Sequence, residues 1–152
     1  MNNVYWLIPG RLAGRCGPGK IAWSPAELYR SGFRTVITVA SEVSVEDLAP
    51  YGLLHRRVPF PPLPVLWQPG QRRLVRRLEA ALPFVHAQLE ADRPTLIHCH
   101  DGDDRTGVAL AGYLITYDHM DWQPAVARVR AINPRAMKMP GYAKACRWFD
   151  TL

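Results

Sequence analysis

Cysteine is scarce in this chain: Cys16, Cys99 and Cys146 are the only three among 152 residues. An odd, sparse set argues against a disulfide framework and fits a reducing compartment. Long apolar runs are also missing. The longest, around Val108 to Ile115, is far too short to cross a bilayer. The opening Met1-Asn2-Asn3 reaches Pro9-Gly10 without the apolar region of a signal peptide. No repeat, low-complexity tract or linker divides the sequence. These absences predict one cytoplasmic domain over 1–152 with no membrane span, long enough to bury a core without staples. Lysine is nearly absent too, since sixteen of the nineteen basic residues are arginine, and the formal net charge is +6. Positive charge attracts phosphates of every kind, and arginine adds planar, two-pronged donors. Charge alone selects no partner.

What is present is an alternation of strand and helix signals. Val4 to Ile8 and Leu12 to Gly14 read as short strands around the Pro9-Gly10 turn. Ser24-Pro25 reads as a helix start and Gly32 as its stop. Thr35 to Val39 and Thr95 to His98 are β-branched or apolar runs expected of strands buried on both faces. A short helix is expected from Val45 to Tyr51, ended by Gly52, and a further strand from Leu54 to Val58. Pro59 to Pro69 holds five prolines and predicts a stiff loop. Leu74, Leu78, Leu82, Val85 and Leu89 recur at helical spacing, with Pro83 as an expected kink. Helices are expected at Arg105 to Asp118, Gln123 to Ile132 and Tyr142 to Phe149. The fold class implied is α/β, a central mostly parallel sheet of four to five strands flanked by helices. Sites in such sheets form at the carboxyl ends of strands, where His98 lies.

The segment that follows is His98-Cys99-His100-Asp101-Gly102-Asp103-Asp104-Arg105-Thr106-Gly107. A cysteine at a strand end, five loop residues and an arginine opening a helix make a phosphate cradle. Successive backbone N–H groups turn inward, and the helix N-terminus adds partial positive charge. Gly102 permits the turn. Arg105 can grip two phosphate oxygens, and the same donors favour the thiolate form of Cys99. Thr106 can hydrogen-bond the sulfur, and His98 beneath the loop can hold its backbone. His100, Asp101, Gly102, Asp103 and Arg105 are therefore the expected substrate-binding residues. Adjacent strand residues face opposite ways and no second ligand pair stands at metal spacing, so no metal site is expected. Cys16 and Cys146 read as ordinary packing residues.

The pattern H-C-x-x-G-x-x-R-T-G resembles the signature of the cysteine-dependent protein tyrosine phosphatase superfamily, in its small dual-specificity branch. Tyr5-Trp6-Leu7-Ile8-Pro9-Gly10-Arg11-Leu12 resembles that family's opening strand pair, Phe33 to Ile37 its first core strand, and Ala125 through Pro140 its closing helices. The resemblance implies a dual-specificity phosphatase-like fold, a phosphocysteine mechanism and no cofactor. It implies a phosphorylated protein or small phosphomonoester as substrate, and inorganic phosphate or other oxyanions as ligands of the loop.

The chain departs from that family in informative ways. The family's general acid stands in the loop after the third core strand, yet Val58 to Trp67 contains no acid. Aspartates at the second and fifth positions after Cys99 resemble the loop of myotubularin-type lipid phosphatases, which makes Asp104 the first candidate acid and Asp101 the second. The lysine of lipid-directed relatives is replaced near Asp103. The family's water-positioning glutamine has no counterpart in Met139-Pro140-Gly141-Tyr142. Trp67 and the prolines are expected to form an apolar wall for an aromatic ring. A catalytically weak phosphate-binding module is the alternative function. Arg56, Arg57, Arg72, Arg73, Arg76 and Arg77 can form a basic stripe, but no nucleic-acid motif accompanies them, and steering of an anionic substrate suits them equally.

Overall fold

A computed structural model describes residues 1–150 of the chain. The β-branched run becomes strand β3 (Thr35–Thr38), and its equivalent later in the chain becomes β5 (Thr95–His98); all eight residues are buried. β1 (Tyr5–Ile8) and β2 (Leu12–Arg15) pair antiparallel around the Pro9-Gly10 turn, and β4 (Leu54–Arg57) forms one edge. The sheet order is β1-β2-β5-β3-β4, parallel throughout except for β1. β5 is therefore central. Its last residue, His98, lies in register with Arg15 on one side and Thr38 on the other. β4 is exposed along its whole length and carries Arg56 and Arg57, charges that discourage further strand pairing.

Helix α1 (Pro25–Arg30) starts as its sequence predicts, with Ser24 Oγ accepting from the Glu27 amide and Pro25 in the first turn. α2 (Gln68–Glu90) buries Leu74, Leu78, Leu82, Val85 and Leu89 against the sheet, with Pro83 on its exposed side. α3 (Arg105–Tyr117) is buried from Arg105 through Thr116 and packs against α2 and α4 (Trp122–Ile132). No helix among the described residues is long and apolar enough to cross a membrane.

Three expected elements differ. The helix at Val45 to Tyr51 is only a 3₁₀ turn, Ala49–Tyr51, whose Ala49 amide donates to Asp47 Oδ1 (3.1 Å) and which is closed by left-handed Gly52. Val43 packs beside Cys99 while Leu48 packs in a separate core with Leu28 and Phe33, so the chain between them is stretched. The proline loop ends at Trp67, because Pro69 sits in the first turn of α2, where its missing N–H costs nothing. The last helix divides into α5 (Tyr142–Ala145) and a 3₁₀ turn, Cys146–Trp148. The break lets Phe149 turn in against Gly112, where an added Cβ would lie 2.4 Å from its ring.

Candidate active site

The loop after β5 is held from outside by its carbonyls. His98 Nδ1 donates to the Cys99 carbonyl (3.0 Å), and the Gly17 amide donates to that of His100 (2.9 Å). The Tyr5 hydroxyl donates to the Gly102 carbonyl, which also receives Asn133 Nδ2 (3.4 Å). The Met137 amide takes that of Asp103 (3.1 Å). With these carbonyls drawn outward, the amides between them are free to face the bowl. One already does: the Gly102 amide donates to Cys99 Sγ (3.3 Å), joined by Thr106 Oγ1 (3.1 Å). Gly102 has φ +78°, and a Cβ there would come within 2.5 Å of the Arg15 carbonyl and the Cys16 nitrogen. Only glycine meets both demands.

His98 is wholly buried, and burial lowers its pKa to about 4. The neutral ring fixes the direction of a short relay. Nδ1–H is spent on the Cys99 carbonyl, so Nε2 accepts from Thr38 Oγ1 (2.7 Å), which in turn receives His55 Nε2 (2.7 Å). Trp23 packs edge-on against the same ring. Arg15, buried beside it, donates to the carbonyls of Cys16, Ile21 and Ala22 and shapes the segment that carries Gly17 and Lys20.

Arg105 is clasped by a residue the sequence reading missed. Its Nη1 donates to Glu42 Oε1 (2.7 Å) and to the Phe60 carbonyl (2.8 Å), and its Nη2 to Glu42 Oε2 (2.8 Å). Three of the five guanidinium donors are thus committed. The remaining two, Nε–H and the second Nη2–H, lie on one edge and form the fork that matches two oxygens of a tetrahedral anion. The Arg105 guanidinium holds the Glu42 carboxyl below its ordinary range. Glu42 follows β3, at the carboxyl end of a strand beside β5, and that position was the available signal.

The three loop aspartates separate by partner. Asp101 points to Lys20 (3.0 Å) on the exposed side. Asp103 is taken by Asn133 Nδ2 (3.0 Å) and Arg135 (3.6 Å), so its side chain braces the loop. Asp104 has no ion-pair partner among the described residues. Burial pushes its carboxyl above the usual range, against the pull of the Met139 amide, and Asp103 and Asp101 push it further. His100 is exposed at the rim, near Glu42 and Gly19.

Tyr142 is buried, its pKa pushed up to about 12 by burial, and its hydroxyl donates to the Leu63 carbonyl (2.6 Å). It ties the proline loop down and acts as a packing residue. Trp67 stands at the N-terminal boundary of α2 and is 77% exposed. Among the described residues, no three His, Cys, Asp or Glu side chains gather as a metal-ligand set.

Comparison with known proteins agrees with this geometry. A family model described as "Polymorphic toxin system, DSP-PTPase phosphatase" matches residues 14–119. Mouse dual specificity protein phosphatase 12 is 25% identical over 144 residues, which is 95% of this chain and 40% of that protein. The chain thus spans less than half the length of that curated relative. Human DUSP28 superposes with a TM-score of 0.79 at 19% identity, covering 98% of this chain and 93% of that one. PTPMT1 in complex with PI(5)P gives 0.79 at 14% identity, covering 97% and 94%. The fold is that of the dual-specificity phosphatases.

The neutral His98 generates a pH prediction. In the fold its pKa is about 4 against the ordinary 6.5, so the unfolded chain binds the proton first as pH falls. Stability is complete above 6.5 and declines toward 4, by up to about 3 kcal/mol. Urea midpoints measured across that window should fall with pH in the native protein, and the slope should flatten in His98→Gln.

Proposed function

The chain belongs to the DSP-PTPase phosphatase family, and from that premise we propose that it hydrolyses phosphomonoesters through a phosphocysteine formed on Cys99. One observation carries the reading. Cys99 Sγ receives two hydrogen bonds at the floor of the loop while Arg105 keeps one bidentate edge uncommitted. A thiolate so placed can attack phosphorus as Arg105 and the loop amides hold the equatorial oxygens. The bond from phosphorus to the leaving oxygen breaks, and that oxygen takes a proton from Asp104. Water then attacks the phosphocysteine, its proton returns to the Asp104 carboxylate, and the sulfur leaves as a thiolate that Thr106 stabilises. Asp104 suits the acid role because burial and its aspartate neighbours favour the protonated form, whereas Asp101 is paired with Lys20 on the exposed side of the loop.

The expected substrates are phosphotyrosine and phosphoserine or phosphothreonine side chains. PTPMT1, a protein of the same fold solved with PI(5)P, supports a phosphoinositide as a second class. The competing reading is a phosphate-binding module without turnover. It is favoured by the proline loop, which supplies no carboxylate to the leaving group.

Three outcomes are expected. Hydrolysis of a small aryl phosphate should survive excess chelator and fall roughly a thousandfold or more in Cys99→Ser; no turnover in either protein would favour the binding module. Asp104→Asn should slow phenyl phosphate by roughly a hundredfold and p-nitrophenyl phosphate far less. Equal slowing of both would remove Asp104 from the acid role. Glu42→Gln, which loses the bidentate clasp on Arg105, should weaken competitive inhibition by inorganic phosphate by about threefold to tenfold. An unchanged inhibition constant would show that Arg105 needs no such support.

A further inference from the structure

The proline loop that lacks an acid carries something else. Leu63, Leu66 and Trp67 are 65%, 54% and 77% exposed, and Met139 beside them is 49% exposed. Leu66 and Met139 line one surface hollow of about 390 Å³, together with Lys138 and Lys144. Side chains of this size rarely stand outward in a row without a partner. The same loop borders the active site, since the Phe60 carbonyl is bonded by Arg105 and the Leu63 carbonyl by Tyr142.

Directly after Trp67, α2 presents Arg72, Arg73, Arg76 and Arg77 on its exposed face. None of the four is in an ion pair among the described residues. Arg72 stacks on Trp148 and Arg77 reaches the Pro59 carbonyl, which leaves Arg73 and Arg76 directed to solvent. The nearest acid on the helix, Glu79, accepts from the Asp150 amide.

We propose that this apolar tip and its arginine collar form a docking face for an anionic lipid bilayer, set on the rim of the catalytic loop. Leucine, methionine and tryptophan enter the boundary between headgroups and acyl chains, and the guanidinium groups meet lipid phosphates. A single-stranded nucleic acid would use the arginines and one ring, but it has no use for two exposed leucines and a methionine, which lack a stacking face. Charge complementarity and the aliphatic tip together select the bilayer. The consequence for the proposed activity, on which this inference rests only for its biological meaning, is that the Cys99 loop would meet phosphate groups held at a membrane surface.

The test is sedimentation with vesicles, using the Cys99→Ser protein so that binding is read without turnover. The protein should sediment with vesicles of equal phosphatidylcholine and phosphatidylglycerol, and not with phosphatidylcholine alone. Arg73→Glu/Arg76→Glu and Leu63→Ser/Leu66→Ser should each lower the bound fraction by about tenfold or more, the arginine variant through lost lipid attraction. Thermal unfolding of both variants checks that they fold. No sedimentation with the anionic vesicles, or sedimentation unaffected by both double variants, would overturn the proposal. So would binding of a 5′-phosphorylated RNA oligonucleotide that needs the arginines and ignores the leucines. Vesicle binding by a protein whose native form turns over no aryl phosphate would sink the catalytic reading and leave the docking face intact.

Discussion

The site depends on where the carbonyls of residues 99–103 go. A loop that is to bind an anion must turn its N–H groups inward, and each inward amide obliges a carbonyl to face the protein. Here a buried histidine, a glycine amide, a tyrosine with an asparagine, and a methionine amide receive four of those carbonyls. The donors come from β5 itself, from the segment after β2, from β1 and from the turn after α4. Elements distant in sequence thus converge on one short loop, and the fold's order, with β5 at the centre, makes this convergence possible. Gly14 belongs to the same arrangement. A side chain there would come within 2.4 Å of the Tyr5 ring, whose hydroxyl holds Gly102.

Charge is arranged on the same plan. A loop with three aspartates is a poor receptacle for a dianion unless those charges are directed elsewhere. Lys20 draws Asp101 outward, and Asn133 with Arg135 draws Asp103 sideways, so that both serve as struts. Asp104 alone keeps a half-buried carboxyl without an ion-pair partner among the described residues, and burial favours its protonated form against the pull of the Met139 and Lys138 amides. Glu42 adds a fourth acid, yet it is spent on Arg105 and trims that side chain to a single available fork.

Much of this was legible in the sequence, for identifiable reasons. Strand and helix periodicity, the Ser24-Pro25 start and the run from His98 to Gly107 are local signals, and local signals survive folding. The roles of His98 and Thr106 followed from spacing alone, because one strand end and one helix start fix both against Cys99. Tyr5, Glu42 and Asn133 were not legible as site residues, because each reaches the loop or Arg105 from another strand or turn. The exposure of Trp67 was not legible either, because a tryptophan among prolines suggests an apolar wall and carries no sign of the helix that begins directly after it.

The empty place of the acid in the proline loop connects these points. In the proposed mechanism the proton donor stands in the phosphate loop, so that nucleophile, acid and anion donors would share one element whose backbone is fixed from outside. A donor so placed needs no separate segment to close over the substrate, and orientation is built in before binding. The segment after β4 is then released from chemistry. Its prolines make it stiff, Tyr142 and Gln71 hold its backbone, Val58, Phe60 and Val65 anchor it in the core, and Leu63, Leu66 and Trp67 face outward. A rigid, hydrophobic, acid-free loop beside a row of arginines suits a surface that must meet something both oily and negatively charged. The missing acid and the exposed apolar tip are thus features of one stretch of chain.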